Sequence, residues 1–385
     1  MRSVELFSGC GGLALGLSRA GFEHARMVEW NNDACATLSQ NKERGVEHVR
    51  AWPFEHKDVR LVDWSKVDGS IDLVAGGPPC QPFSIGGKHK GKHDTRDMWP
   101  EAIRAVRELR PRAFLFENVR GLARPAFAEY LEWITRSLAA PSVTARDDES
   151  HTEHLARLRR RRTPPDYKLM VLKVNAADYG APQKRHRVVV VGVRADLLVD
   201  LVPPHPTHSQ ERLIWDKWVT GEYWRRHSIR RPAPTELERS AAERLHAKGG
   251  VPSTEAWRTV RDALAGLGEP NGKDWHVFQP GARLYPGHTG SPLDDPAKAL
   301  KAGDHGVPGG ENMMVLKPGV VRYFTVREAA RLQGMPDDWT FAGSWTESMR
   351  QIGNAVPVQL SETFGRWLVG MLERASNLVR PERAA

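Results

Sequence analysis

Cys80 stands within Gly76-Gly77-Pro78-Pro79-Cys80-Gln81-Pro82-Phe83-Ser84, directly after the apolar run Ile71-Asp72-Leu73-Val74-Ala75. Proline fixes φ and removes a backbone donor, so this loop is stiff. A stiff loop at the end of a buried strand presents one thiol, as nucleophilic catalysis requires. A structural cysteine belongs within an apolar run and fits this setting poorly. Glu117-Asn118-Val119 closes the next apolar run, Ala113–Phe116. A carboxyl there, beside a nucleophilic thiol, reads as an acid or hydrogen-bond donor with a raised pKa; a helix-capping carboxylate is the plainer reading. Gln183-Lys184-Arg185-His186-Arg187 precedes Val188–Val191. Strand alternation puts Arg185 and Arg187 on one side, to hold a phosphate or an anionic intermediate, unless the edge is merely basic and solvated.

A second group lies at the N-terminus. Phe7-Ser8-Gly9-Cys10-Gly11-Gly12 joins a short strand to a helix, and its glycines permit close approach of a ligand to backbone. Glu29 follows about 20 residues later, the offset of a ribose-binding acid in dinucleotide-type sites. Trp30 beside it suits stacking on a purine, and Asp58 suits an adenine amino group. An ordinary tight turn, a packed indole and a solvated carboxylate are the plain alternatives.

These residues need elements to hold them. Strand-like segments at Val4–Phe7, Ala25–Glu29, Ile71–Ala75, Ala113–Phe116, Lys168–Val174 and Arg187–Val193 alternate with helical ones. The helices are expected at Leu13–Ala20, at Asn32–Asn41 capped by Asn31, and at Trp99–Leu109 before Pro111. Strands that are continuous apolar runs predict a doubly wound parallel α/β sheet, with ligands at the strands' carboxyl ends. The loops after Phe7, Ala75 and Phe116 meet there. Residues 200–318 break the rhythm and are rich in Pro, Gly, His and Trp, including Trp215, Trp218, Trp224, Trp257 and Trp275. Such aromatic content argues for a small irregular domain, with strands at Trp275–Gln279 and Met313–Leu316. A helix capped by Thr325 and one after Pro357 follow.

Composition narrows the class. The 385 residues hold 56 Lys and Arg against 47 Asp and Glu, a net +9, and three cysteines. That length allows one large domain or two ordinary ones. No disulfide scaffold, zinc-ligand spacing or membrane-length apolar run is present, and the N-terminus lacks signal-peptide layout, so a cytoplasmic protein without metal is expected. Residues 1–150 are neutral in sum, whereas 151–200 carry 11 basic against 5 acidic residues, notably Arg157, Arg159, Arg160, Arg161 and Arg162. A basic excess hints at a polyanionic partner, with a solvated basic surface the equal alternative on charge alone.

In this order the pieces resemble the DNA (cytosine-5) methyltransferases. Glu5–Gly12 is similar to that family's cofactor motif, Pro78-Pro79-Cys80-Gln81 to its catalytic loop, Glu117-Asn118-Val119 to its acidic motif, and Gln183–Arg187 to its Gln-x-Arg-x-Arg motif. Arg327–Gly334 and Gln351-Ile352-Gly353-Asn354-Ala355-Val356-Pro357 resemble its last two. The resemblance implies a Rossmann-like methyltransferase sheet in 1–199, a target-recognition domain in 200–318, and a segment, 319–385, returning to the catalytic domain. It implies S-adenosylmethionine held by Phe7, Gly9, Gly11, Glu29, Trp30, Asp58, Val59, Pro79 and Asn354, with Trp99 where an aliphatic contact is usual. It implies catalysis by Cys80, Glu117, Arg185 and Arg187 on a cytosine flipped from duplex DNA. Gln81 and Ser84, together with Lys88 and Lys90 of the Gly- and Lys-rich stretch 84–97, are expected to touch DNA. Arg225, Arg226, Arg230 and Arg231 are unranked candidates for reading bases.

A monomer associated with the bacterial nucleoid, paired with a restriction or other defence protein, completes the expectation. The family's tRNA-methylating branch is the nearest rival, though its variable region is short. A non-catalytic nucleic-acid-binding module leaves Cys80, Glu117 and Arg185 unexplained. A nicotinamide-dependent dehydrogenase leaves the Pro-Pro-Cys loop idle.

Overall fold

The computed structural model describes residues 1–79, 97–303 and 312–379. Its backbone separates into two compact units. One comprises Met1–Val174, His186–Pro204 and the chain from Asp338 onward; the other comprises Asn175–Arg185 and His205–Asp337.

The first unit is built on a seven-stranded sheet. Its strands are β1 (Arg2–Leu6), β2 (Glu23–Glu29), β3 (Phe54–His56), β4 (Leu73–Gly76), β5 (Ala113–Val119), β6 (Tyr167–Asn175) and β8 (His186–Arg194), β7 being the short Gln183–Lys184. The order across the sheet is β3-β2-β1-β4-β5-β8-β6. The β3 to β5 portion is parallel, as the apolar runs predict. The sheet is not parallel throughout, because β8 runs antiparallel to β5, with Glu117 opposite Val189 and Val119 opposite Arg187. Only six residues, 180–185, lie between the turn after β6 and β8, too few for the crossover that a parallel strand demands.

The helices are α1 (Gly12–Arg19), α2 (Asn32–Glu43), α3 (Trp99–Leu109), α4 (Ala128–Ala139) and α5 (His151–Arg159). Asn31 caps α2 as expected, accepting from the Ala34 N–H at 2.9 Å. Trp99, Trp133, Ile134, Leu155 and Leu158 pack with Phe114, Phe116, Val188 and Val190 into one core on one face of the sheet. Helix α1 packs against the C-terminal helix Val358–Val379. A β-carbon at Gly16 would lie 2.0 Å from Ser361 Oγ and 2.6 Å from two backbone atoms, so only glycine permits this approach.

The second unit is held by Leu213, Trp218, Tyr223, Trp224, Ala242 and Trp257. Buried Lys217 lies within 5.8 Å of the rings of Trp218, Tyr223 and Trp224 and pairs with Asp295 at 3.2 Å. The strand expected at Trp275–Gln279 does not form, because Asp274 and Trp275 both adopt positive φ, at 46° and 62°. The strand Met313–Lys317 does form, pairing antiparallel with Val320–Tyr323. The compact units also divide the chain elsewhere than at 199/200 and 318/319. Gln183 donates to Leu332 O and Gln333 Oε1 at 2.9 and 2.8 Å, and β7 pairs with Ala297–Lys298, which draws 175–185 and 319–337 in with 205–318.

Candidate active site

Strand β1 stops at Leu6 because Phe7 takes φ 58°, a left-handed conformation uncommon for a non-glycine residue and often retained at functional turns. Gly9 and Gly11 follow at φ 53° and 89°. Glu29, at the end of neighbouring β2, organises this turn. Its carboxylate accepts from the backbone N–H of Gly9 at 2.7 Å, Trp30 at 2.9 Å and Asn31 at 2.8 Å. A carboxylate has about four acceptor positions, so one remains for a ligand hydroxyl. Among the described residues, nothing beyond its own chain neighbours lies within 4 Å of where a Gly9 β-carbon would be, and Trp30 is 66% exposed. An open backbone, a spare acceptor and an exposed aromatic face together fit an adenosyl group.

Other residues expected here stand differently. The Asp58 carboxylate binds Arg60 through its guanidinium and backbone N–H, which holds its pKa below the usual range. Val59 is buried. Trp99 is completely buried, edge-on to Phe116 with centroids 5.7 Å apart. Asn354 is exposed at the end of the helix Trp345–Asn354. That helix is fastened to the glycine turn, since the Cys10 thiol lies 3.5 Å from Gln351 O and Thr37 donates to Gln351 Oε1 at 2.7 Å. The two ends of the chain thus meet at β1.

At the adjoining strand ends, β4 and β5 are tied by Asn118, whose amide donates to Pro78 O at 2.9 Å. The Glu117 carboxylate pairs with Arg187 of β8 at 2.6 Å, and both side chains are mostly buried. Diagonal placement on one face of an antiparallel pair makes this contact possible. Arg185 belongs to the second compact unit. It is buried there, donating to Leu300 O at 2.8 Å just past the β7 pairing that ends at Lys184. Cys80, Gln81, Ser84, Lys88 and Lys90 lie outside the described residues. Burial pushes the other two thiols, Cys10 and Cys35, up to about 12, so neither serves as a thiolate.

The second unit's arginines separate by their partners. Arg226 pairs with Asp262 at 2.9 Å and lies 4.8 Å from the Tyr223 ring centre. Arg225 and Arg231 line a cavity of about 440 Å³ with Trp224, bonded to Glu222 and to Trp218 O respectively. Among the described residues, Arg230 alone of the four has no side-chain hydrogen bond or ion pair.

Sequence reasoning missed Glu5, whose carboxyl is fully buried beneath the glycine turn and pushed well above the usual pKa, chiefly by burial and also by Glu29. An acid amid apolar strand residues was the available signal. It also missed Asn118 and Gln351, whose roles need partners distant in the chain.

A family model for C-5 cytosine-specific DNA methylase matches residues 1–140 and 163–369. The type II methyltransferase M.PspPI of a Psychrobacter strain is 33% identical, covering 97% of this chain and 80% of that protein. The type II methyltransferase M.NgoMIV of Neisseria gonorrhoeae is 32% identical, with 97% and 98% covered. A solved Escherichia coli structure, a prophage-encoded putative DNA modification methyltransferase, aligns over 97% of this chain and 99% of its own, with TM-score 0.58 and 23% identity, a likeness of fold. This chain belongs to the C-5 cytosine-specific DNA methylase family.

Proposed function

We propose that this protein is a DNA (cytosine-5-)-methyltransferase that moves a methyl group from S-adenosylmethionine to cytosine in a specific duplex sequence. We also infer a place in a restriction-modification or related defence system, an inference supported by the type II relatives. One observation carries the reading. Asn118 ties Pro78, which stands two residues before Cys80 in the sequence, to the strand that bears Glu117. Glu117 and Arg187 meet at 2.6 Å across β5 and β8, and are assigned to the same reaction as Cys80.

The cofactor would be held by Phe7, Gly9, Gly11, Glu29, Trp30, Val59, Pro79 and Asn354, with Asp58 joining if it gives up Arg60. When bound, it supplies an electrophilic methyl group on sulfur. Carbon 5 of cytosine is a weak nucleophile. Addition of the Cys80 thiolate at carbon 6 makes carbon 5 enamine-like, and a cationic neighbourhood keeps the thiol ionised. Glu117 hydrogen-bonds ring N3 and the exocyclic amine, while Arg187 holds Glu117 in place and Arg185 serves the base carbonyl. Once carbon 5 is methylated, loss of its proton returns an electron pair to the ring and expels Cys80. The base must leave the stack to react, at a cost of a few kcal/mol, and Gln81, Ser84, Lys88 and Lys90 are assigned to the opened duplex. Arg225, Arg230 and Arg231 remain assigned to base reading.

Incubating wild-type protein and Cys80→Ser with S-adenosylmethionine and duplex DNA containing 5-fluorocytosine tests this. Wild type should form a denaturant-resistant adduct and the variant none; an adduct that survives the substitution refutes the assignment of Cys80.

A further inference from the structure

Residues 141–162 fall outside the family match, yet they are well built. Ser150 and Glu153 form a reciprocal capping box at the start of α5. Trp133 of α4 donates its indole N–H to His154 Nδ1 at 3.1 Å, and His154 Nε2 in turn donates to Val143 O at 2.8 Å. Leu155 and Leu158 enter the core beside Trp133. His151, the first residue of α5, stacks on Trp133 at 4.0 Å and lies 5.4 Å from Tyr130.

Tyr130 points the other way, to the root of the catalytic chemistry. Its hydroxyl donates to Asp97 Oδ2 at 2.5 Å, while Asp97 Oδ1 accepts from the Trp99 N–H at 3.1 Å. Asp97 is thus pinned at the entrance to α3, in the stretch that continues from the Cys80 loop. Trp99 passes the contact on to Phe116, which adjoins Glu117.

We propose that residues 141–162 are a brace whose His151 fixes the Tyr130 ring, and that Tyr130 is a positioning residue for methyl transfer through Asp97. This rests on the methyltransferase reading above. A hydrogen bond to a carboxylate is worth on the order of tenfold or more, so losing the hydroxyl should appear mainly in the chemical step. Tyr130→Phe keeps the ring while removing the hydroxyl that bonds Asp97. Its kcat, and its single-turnover rate of adduct formation on 5-fluorocytosine duplex, should fall about tenfold. KM for S-adenosylmethionine and duplex affinity should stay within about twofold, because Tyr130 itself is assigned to neither ligand. His151→Ala should move the same rates in the same direction, and His151→Phe, which restores a stacked ring, should recover them. The proposal is overturned if Tyr130→Phe changes only thermal stability, if kcat and KM shift together, or if Phe at 151 behaves like Ala. A wild-type protein that neither methylates nor traps DNA would instead refute the function itself.

Discussion

At the scale of single residues, the site depends on where charge is allowed to lie. Glu29 is stabilised as an acceptor by three backbone N–H groups, and Glu117 by Arg187. Among the described residues Glu5 pairs with no such cation, and burial raises its pKa well above its ordinary value of 4.5. A carboxyl whose folded pKa is raised contributes its full stability below the unfolded pKa and loses it as pH rises through the folded value. Glu5→Gln, an uncharged isostere, should therefore lie closest to wild type below pH 4.5 and gain on it as pH rises above that ordinary value. Urea unfolding at these pH values measures the difference; a gap independent of pH would mean Glu5 is not the titrating group. The sequence exposed Glu29 and Glu117 because each closes an apolar run. It did not reveal that Arg187 pairs with Glu117, since two arginines two apart look equivalent until the strand that carries Arg187 is seen beside β5.

At the scale of elements, glycine and capping decide what can approach what. Helix α1 packs on the C-terminal helix, and Ser361 Oγ donates to Gly12 O at 3.2 Å across their contact. Gly16→Ala would place a methyl group where Ser361 Oγ and the backbone of Val358 and Glu362 already lie. Overpacking of this kind costs about 1–3 kcal/mol, and the backbone atoms involved cannot rotate away. Thermal denaturation should show a lowered Tm together with weaker S-adenosylmethionine binding, because the glycine turn begins the same helix. An unchanged Tm would show that the helices can part without loss. Most strands and helices were legible from apolar runs, caps and prolines, and α3 agrees residue for residue. The antiparallel direction of β8 and the loop at Trp275 were not, because strand direction depends on connection geometry and left-handed φ leaves no pattern in residue type.

At the scale of the whole molecule, the basic excess of 151–200 is largely answered by acids. Arg157 pairs with Glu149 at 2.7 Å, Arg159 with Glu132 at 2.6 Å and Arg161 with Asp166 at 3.6 Å. Arg157 and Arg159 in turn hold Glu149 and Glu132 down at about 2. Among the described residues, only Arg160 and Arg162 of this run have no side-chain partner. Each phosphate contact contributes about 0.9 to the slope of log affinity against log salt. Arg160→Ala/Arg162→Ala should thus reduce that slope by at most about 2, measured by anisotropy with a labelled duplex. The triple substitution of Arg157, Arg159 and Arg161 by Ala should leave it nearly unchanged. A larger effect from the triple would show that these ion pairs open to bind phosphate.

The sequence alone determined which chemistry was on offer and in what order along the chain. A proline-locked thiol, an acid closing a strand and a glycine turn followed by Glu29 are local facts, set by the chemistry of a few neighbouring residues. Tertiary structure decided the partnerships. It separated Arg185 from Arg187, fastened Gln351 to the turn at Cys10, joined Asp97 to Tyr130 and paired most of the exposed-looking arginines. Propensity and periodicity act over one or two turns of chain. The choice among possible hydrogen-bond and ion-pair partners depends instead on which groups folding brings within about 3 Å, often from residues hundreds of positions apart.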